Sequence, residues 1–123
     1  MEKSQNKVSK VFFTPTLKKE KLVELYKLLN KKLPGKVAVK IHSGEHDKGY
    51  IIQPEFMQPL IEYVDGTIVE CNTAYSGRGD TSDKHWKLIQ EHGYTSIAIC
   101  DILDEFGKIE LPVPNGLQIK KIT

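Results

Sequence analysis

KVAVKIHSGEHDKGYI, residues 36–51, holds the most strand-like run in the chain and, directly after it, a dense group of chemically versatile side chains. Lys36–His42 reads as a strand, with β-branched Val37, Val39 and Ile41. The residues that follow include two histidines, a glutamate, an aspartate and two glycines, so a polar loop should open at the strand end.

Working outward from this run, strand and helix signals alternate. Upstream, Val11–Thr14 is a short apolar run of β-formers stopped by Pro15, and Thr16 can cap a following helix. Leu22, Leu25, Tyr26, Leu29 and Leu33 recur there at helical spacing, lysines line the other face, and Pro34-Gly35 ends the helix. Downstream, Pro54-Glu55 opens a second helix, which Pro59 should kink or restart near Gln58. Asp65-Gly66 turns the chain into a strand over Thr67–Thr73, and AYSGRGDTS, residues 74–82, is a second long polar loop. A third helix is expected over about Ser82–His92, capped by Asp80 or Thr81 and stopped by Gly93. A fourth strand is expected over Thr95–Asp101. The tail holds two shorter β-like pieces, KIELPV (108–113) and LQIKKIT (117–123), around a Pro-Asn-Gly turn, with Pro112 marking an edge.

This order predicts a single α/β domain over residues 1–123, a three-layer fold. It has a mostly parallel sheet of about four main strands, flanking helices and a short β tail. The helix-to-strand turns are tight, whereas the strand-to-helix loops after His42 and Thr73 are long. Ligands of such sheets bind outside the carboxyl ends of the strands, and the long polar loops all fall on that edge. A site is therefore expected there.

Composition narrows the function. The 123 residues carry 18 basic and 16 acidic side chains for a net charge of +2, and Arg78 is the only arginine. So balanced a chain, with one arginine fork, argues against nucleic acid as partner. The lysines crowded over residues 18–32 read as a solvated helix face. No apolar run reaches the ~18 residues of a membrane span, and MEKSQNKVSK lacks the apolar core of a signal peptide. A cytoplasmic, reducing setting is expected, with Cys71 and Cys100 as free thiols buried in neighbouring strands. There is no C-x-x-C, hence no iron–sulfur ligand motif of the usual spacing.

The edge gathers the candidate residues. His42, Glu45 and His46 are of the types that ligate a divalent metal, with His85 or Asp101 as a further ligand. The spacing H-x-x-E-H matches an inverted zinc-protease motif, but that motif needs a helix, and Gly44 after a strand opposes one. The alternative for both loop histidines is hydrogen bonding to solvent. SGRGDTS sets two glycines, an arginine and a helix start together, a backbone suited to an anion; it is neither a P-loop nor a G-x-G-x-x-G. The alternative for Arg78 is an ion pair with Asp80 or Asp83. His85 and His92 fall with Ile89 on one helix side, and His92 at the helix stop suits the helix dipole. Candidate catalytic residues are His42 and Glu45 for acid–base work and Arg78 for charge; Asn72, Thr73, Tyr75 and Gly77 are candidate cofactor-binding residues.

KVAVKIHSGEHDKGYIIQPE (36–55) and VECNTAYSGRGDTSDKHWKLIQEHGY (69–94) together resemble the N-terminal part of domain of unknown function family 362. The matching positions are Lys40, His42, Gly44, Glu45, Pro54, Glu55, Asn72, Thr73, Tyr75, Gly77, Arg78, His85, His92 and Gly93, within about Lys7–Val113. The resemblance implies an uncharacterised protein, often described as iron–sulfur-associated because many members carry a ferredoxin-like module. No cysteine cluster stands here, and Glu70-Cys71 precedes Asn72 where the family usually has an acidic residue. Longer members continue into a second half, so a short member or a fragment is expected. Two functions follow. One is binding of a small anionic or metal-linked ligand at the carboxyl edge. The other is a non-catalytic module that docks a second domain or partner protein. The tail strand LQIKKIT, as an unpaired edge, allows a homodimer.

Overall fold

The computed structural model describes residues 9–45, 50–107 and 109–122. Its elements are α1 (Lys19–Leu28), β1 (Val37–Lys40), α2 (Pro54–Val64), β2 (Gly66–Cys71), α3 (Ser82–Glu91), a 3₁₀ turn (Tyr94–Ser96), β3 (Cys100–Leu103), β4 (Leu111–Pro112) and β5 (Lys121–Ile122). Strands β1, β2 and β3 form a parallel sheet in that order, and β4 pairs antiparallel with β5 in a separate ribbon. The protein is thus an α/β fold with a three-stranded parallel sheet among the described residues, where the sequence suggested about four main strands.

The missing strand is Val11–Thr14. Val11 is 88% and Phe13 83% exposed, and the segment pairs with no strand. Its apolar residues serve a helix surface instead: Val11 and Phe12 line a groove with Leu22, Leu25, Tyr26, Leu29 and Leu60. Lys18, not Thr16, occupies the N-cap of α1, while the Thr14 hydroxyl donates to the Thr16 carbonyl within a turn. The helix stops at Leu28 because Asn30 takes the left-handed conformation (φ 48°), a common helix exit, so Leu33 lies outside it. Helix α1 leans on α2, where Tyr26 meets Tyr63 edge-to-face with ring centroids 6.0 Å apart and the Lys27 ammonium sits 4.8 Å from the Tyr63 ring centre.

Helix α2 starts at Pro54, which needs no hydrogen bond there, and runs through Pro59 as one helix to Val64. It ends on Asp65 in the left-handed region (φ 50°), and β2 follows at once. Each β–α–β unit joins neighbouring parallel strands, and right-handed crossovers between neighbours set both helices on one face of the sheet. The core agrees. Ile61 of α2 and Ile89 of α3 pack with Ile41, Ile51, Ile68, Tyr94 and Ile102 in one cluster, which Val39 and Cys100 join at its margin. The register places Val39 beside Ile68 and Ile68 beside Cys100, so these residues share the covered face.

On the opposite face lie Ala38, Lys40, Cys71, Asp101 and Leu103, all exposed, around a buried Val69. Parallel sheets usually bury both faces. Among the described residues, this one covers a single face. The two cysteines lie on opposite faces: Cys71 is exposed, and Cys100 is half-buried with its thiol pushed up to about 11 by burial. The expectation of two buried thiols therefore fails for Cys71. The Thr95–Asp101 strand also shifts. Tyr94–Ser96 forms the 3₁₀ turn, held as the Ser96 hydroxyl donates to the Gly93 carbonyl (2.7 Å), and β3 begins only at Cys100.

Ile68 is fully buried at the centre of the sheet. Ile68→Ala should lower unfolding stability by about 2–5 kcal/mol, read by urea denaturation, whereas Val11→Ala should stay within about 0.5 kcal/mol.

Candidate ligand site at the carboxyl edge of the sheet

The two long loops meet where expected, beyond the carboxyl ends of β1 and β2, and Ser43 fastens the first of them. Its backbone N–H donates to Glu70 Oε1 (2.7 Å), its carbonyl lies 2.6 Å from His92 Nδ1, and its hydroxyl lies 2.9 Å from His85 Nε2. Helix α3 makes this bracket possible. His85, Leu88, Ile89 and His92 follow the spacing of one helical face, and all four are buried. Two histidines two turns apart thus grip one loop residue. His92 is a loop anchor rather than only a partner of the helix dipole.

The proton positions around His85 follow from its neighbours. Asn72 Nδ2 donates to the Ser82 hydroxyl (2.9 Å), which turns Asn72 Oδ1 toward His85 Nδ1 at 3.1 Å. A proton on Nδ1 satisfies that contact and leaves Nε2 bare to accept from the Ser43 hydroxyl. The neutral ring fits this pattern. Burial pushes its pKa below the ordinary histidine value, and the Lys40 ammonium adds to that, against the opposing pull of Glu70 and Glu45. The chain Ser82–Asn72–His85–Ser43 has the geometry of a positioned base and a hydroxyl. Ser43 is buried and fixed at its N–H, its carbonyl and its Oγ, so it is a rigid post rather than an exposed nucleophile.

Glu70 is the second support. It lies on the covered face of β2, 5% exposed, with Lys40 Nζ donating to Oε2 at 2.6 Å and the Cys71 N–H donating to the same oxygen at 3.2 Å. Burial works to raise its pKa; Lys40 and the Ser43 and Cys71 N–H groups outweigh that and hold it below the ordinary glutamate value.

Glu45 closes the loops on the other side. Its Oε2 accepts the Arg78 backbone N–H (3.0 Å), and a Cβ on residue 77 would lie 2.7 Å from that oxygen, so a side chain there would push the Glu45 carboxylate aside. The Gly77 N–H donates to Asp80 (3.3 Å), whose carboxyl lies below its usual range because Lys84 donates to it at 2.9 Å. Two backbone donors of the SGRGD loop thus meet the protein's own carboxylates. The Arg78 guanidinium pairs with Glu91, not with Asp80 or Asp83. Thr73 shapes the loop, its N–H donating to the Gly79 carbonyl (2.8 Å) and its hydroxyl to the Tyr75 carbonyl (3.0 Å), and Tyr75 is exposed.

His42 stands apart from this network. It is exposed and lines a slot of about 180 Å³ with Lys40, Ile41, Tyr50, Ile51, Ile52, Met57 and Tyr94. The Tyr94 hydroxyl donates to the Ile52 carbonyl (2.8 Å), tying the far end of the loop, and burial pushes its pKa up to about 12. Of the expected metal ligands, His42 lines the slot, His85 has both ring nitrogens engaged, Asp101 lies on the open sheet face, and His46 falls outside the described residues. No group of three potential ligands gathers among the described residues. The sequence reading missed the anchoring by Ser43, Glu70 and Tyr94. The legible signal for Glu70 was a lone acid in an otherwise apolar strand.

A parallel α/β sheet with two long loops interlocked at its carboxyl edge defines the class. The family model described as Domain of unknown function (DUF362) matches residues 37–123, and the chain belongs to that family. The match begins at β1, later than the expected Lys7, and continues through the tail. Comparison with curated proteins and with solved structures found no match.

Because His85 is neutral when folded and would charge when unfolded, the unfolded chain binds more protons just below the ordinary histidine pKa of about 6.5. Stability contributed by His85 is thus present above that value and lost as pH falls. His85→Gln should cost about 1–3 kcal/mol at neutral pH and flatten the decline in melting temperature between pH 7 and pH 5; an unchanged decline would show that other groups set it.

Proposed function

We propose that the carboxyl edge binds a small anionic ligand with an apolar body. The observation that carries this reading is the slot at the end of β1: aliphatic and aromatic walls with Lys40 and His42 at its rim. At about 180 Å³ it is below the usual range for drug-sized ligands, roughly 300–1,000 Å³, so it suits a compact carboxylate or phosphate. Lys40, whose ammonium already donates to Glu70 and to the Ile41 carbonyl, has one N–H left for the anion, His42 offers a second donor, and Tyr50, Ile52 and Met57 hold the apolar part. Glu45, whose Oε2 also holds the Arg78 N–H, supplies the acid–base group of this reading from the neighbouring loop. Arg78 and the 76–80 backbone add a second anion contact if the surface pair with Glu91 exchanges, a small cost for a pair of that exposure. Asn72, Thr73, Tyr75 and Gly77 hold that loop in shape. In a metal-linked variant of the reading, His42 and His46 supply ligands from one loop.

An iron–sulfur association would require thiolates from another domain or protein, since Cys71 and Cys100 lie on opposite sheet faces. A cytoplasmic location fits free thiols, and no helix among the described residues is long and apolar enough to cross a membrane. The second reading, a docking module, is favoured by the uncovered sheet face. A partner element there would complete the third layer and extend the sheet beyond three strands.

The test is thermal-shift and calorimetric titration with inorganic phosphate, phenyl phosphate, phenylacetate and isobutyrate. Ligands that join an anion to an apolar group should raise the melting temperature more than inorganic phosphate does. Ile52→Trp, which fills the slot mouth from an exposed position, should weaken binding about tenfold or more, or about 1.4 kcal/mol. Shifts absent for every ligand, or identical in Ile52→Trp, would remove the slot as the site.

A further inference from the structure

Among the described residues β3 is an edge strand, paired with β2 alone. Beside it runs a groove of about 420 Å³ whose walls are β3 with the residues after it, up to Phe106, and Ile109 and Leu111 of the tail. Its surface combines apolar Leu103, Phe106, Ile109 and Leu111 with acidic Asp101, Asp104 and Glu105. These acids have no ion-pair partner among the described residues. The groove opens onto the uncovered sheet face, since Asp101 and Leu103 belong to both.

The same chain carries a complementary surface. In the tail, Leu117 is 93% and Ile119 62% exposed, and exposed Lys120, Lys121 and Ile122 follow; Lys121 pairs with Glu110 of the same ribbon, an exposed pair whose exchange costs little. β5 pairs with β4 over two residue pairs only, and its second edge bonds to no strand among the described residues. A two-stranded ribbon of that size is marginal alone and gains from joining a larger sheet.

We propose that two copies of the chain associate reciprocally, the basic, apolar tail of each (residues 117–122) seating in the acidic, apolar groove beside β3 of the other. Leu117 and Ile119 enter the apolar groove while Lys120 and Lys121 meet Asp101, Asp104 and Glu105. Two-fold symmetry makes the contact twice, as an isologous dimer requires. Opposite charges on tail and groove select a second copy over an arbitrary apolar partner. This inference is independent of the ligand slot, which lies at the end of β1, the opposite edge strand of the sheet.

Sedimentation velocity over a wide range of protein concentration tests it. The unaltered chain should dimerise, and Leu117→Lys with Ile119→Lys should yield a monomer of unchanged circular dichroism. A tail variant, Lys120→Glu with Lys121→Glu, and a groove variant, Asp101→Lys with Glu105→Lys, should each be monomeric alone. Each would then set like charges against like. Mixed together, they should form a one-to-one heterodimer, because both contacts regain opposite charge. A chain monomeric at every concentration, a dimer indifferent to the tail substitutions, or variants that stay apart on mixing would each overturn the proposal.

Discussion

Ser43 spends all three of its hydrogen-bonding groups on other elements: Glu70 in β2 and His85 and His92 on α3. A loop leaving a parallel strand carries backbone donors and acceptors that must be satisfied before it can be buried. Ser43 satisfies them with side chains already held by the sheet and the helix. The start of the loop is therefore fastened to both the sheet and α3. The network is also fully satisfied, with no buried side-chain donor or acceptor unpaired among the described residues, which is what makes a buried polar cluster specifying rather than costly.

Electrostatics supports the same edge. Two charges, Lys40 and Glu70, sit next to a neutral buried histidine. The carboxylate is kept ionised by its donors and the imidazole uncharged by its burial. If both titrated together the edge would lose its arrangement, so the chain separates them chemically. Lys40, which lines the slot, is thereby held in place by an ion pair whose partner stays charged.

Much of this was legible in the sequence, for identifiable reasons. The β1 run and the α3 stripe of His85, Leu88, Ile89 and His92 have clear periods, and the loop lengths alone placed both long polar loops at the carboxyl edge. The Val11–Thr14 run misled because a short apolar segment reads alike whether it joins a sheet or covers a helix. Thr95–Ile97 misled because β-formers there are consumed by a 3₁₀ turn locked by Ser96, a local hydrogen bond that overrides propensity. Arg78 was placed beside the nearest acids in sequence, but Glu91 on the third turn of α3 is nearer in space. Ser43 was legible as an edge residue but its role was not, since nothing in a serine's neighbours along the chain shows that three distant groups converge on it.

The loop after β1 is fastened twice, at Ser43 and again where Tyr94 holds Ile52. Between fixed ends, lengthening a segment is inexpensive: each doubling costs only about 0.6 kcal/mol of closure entropy. Insertions there leave the sheet undisturbed as long as Gly44, Glu45 and the buried Ile51 are kept, which makes the rest of this interval the natural place for such a protein to evolve a new ligand preference. A library randomised over residues 46–50 alone would sample recognition while sparing the core.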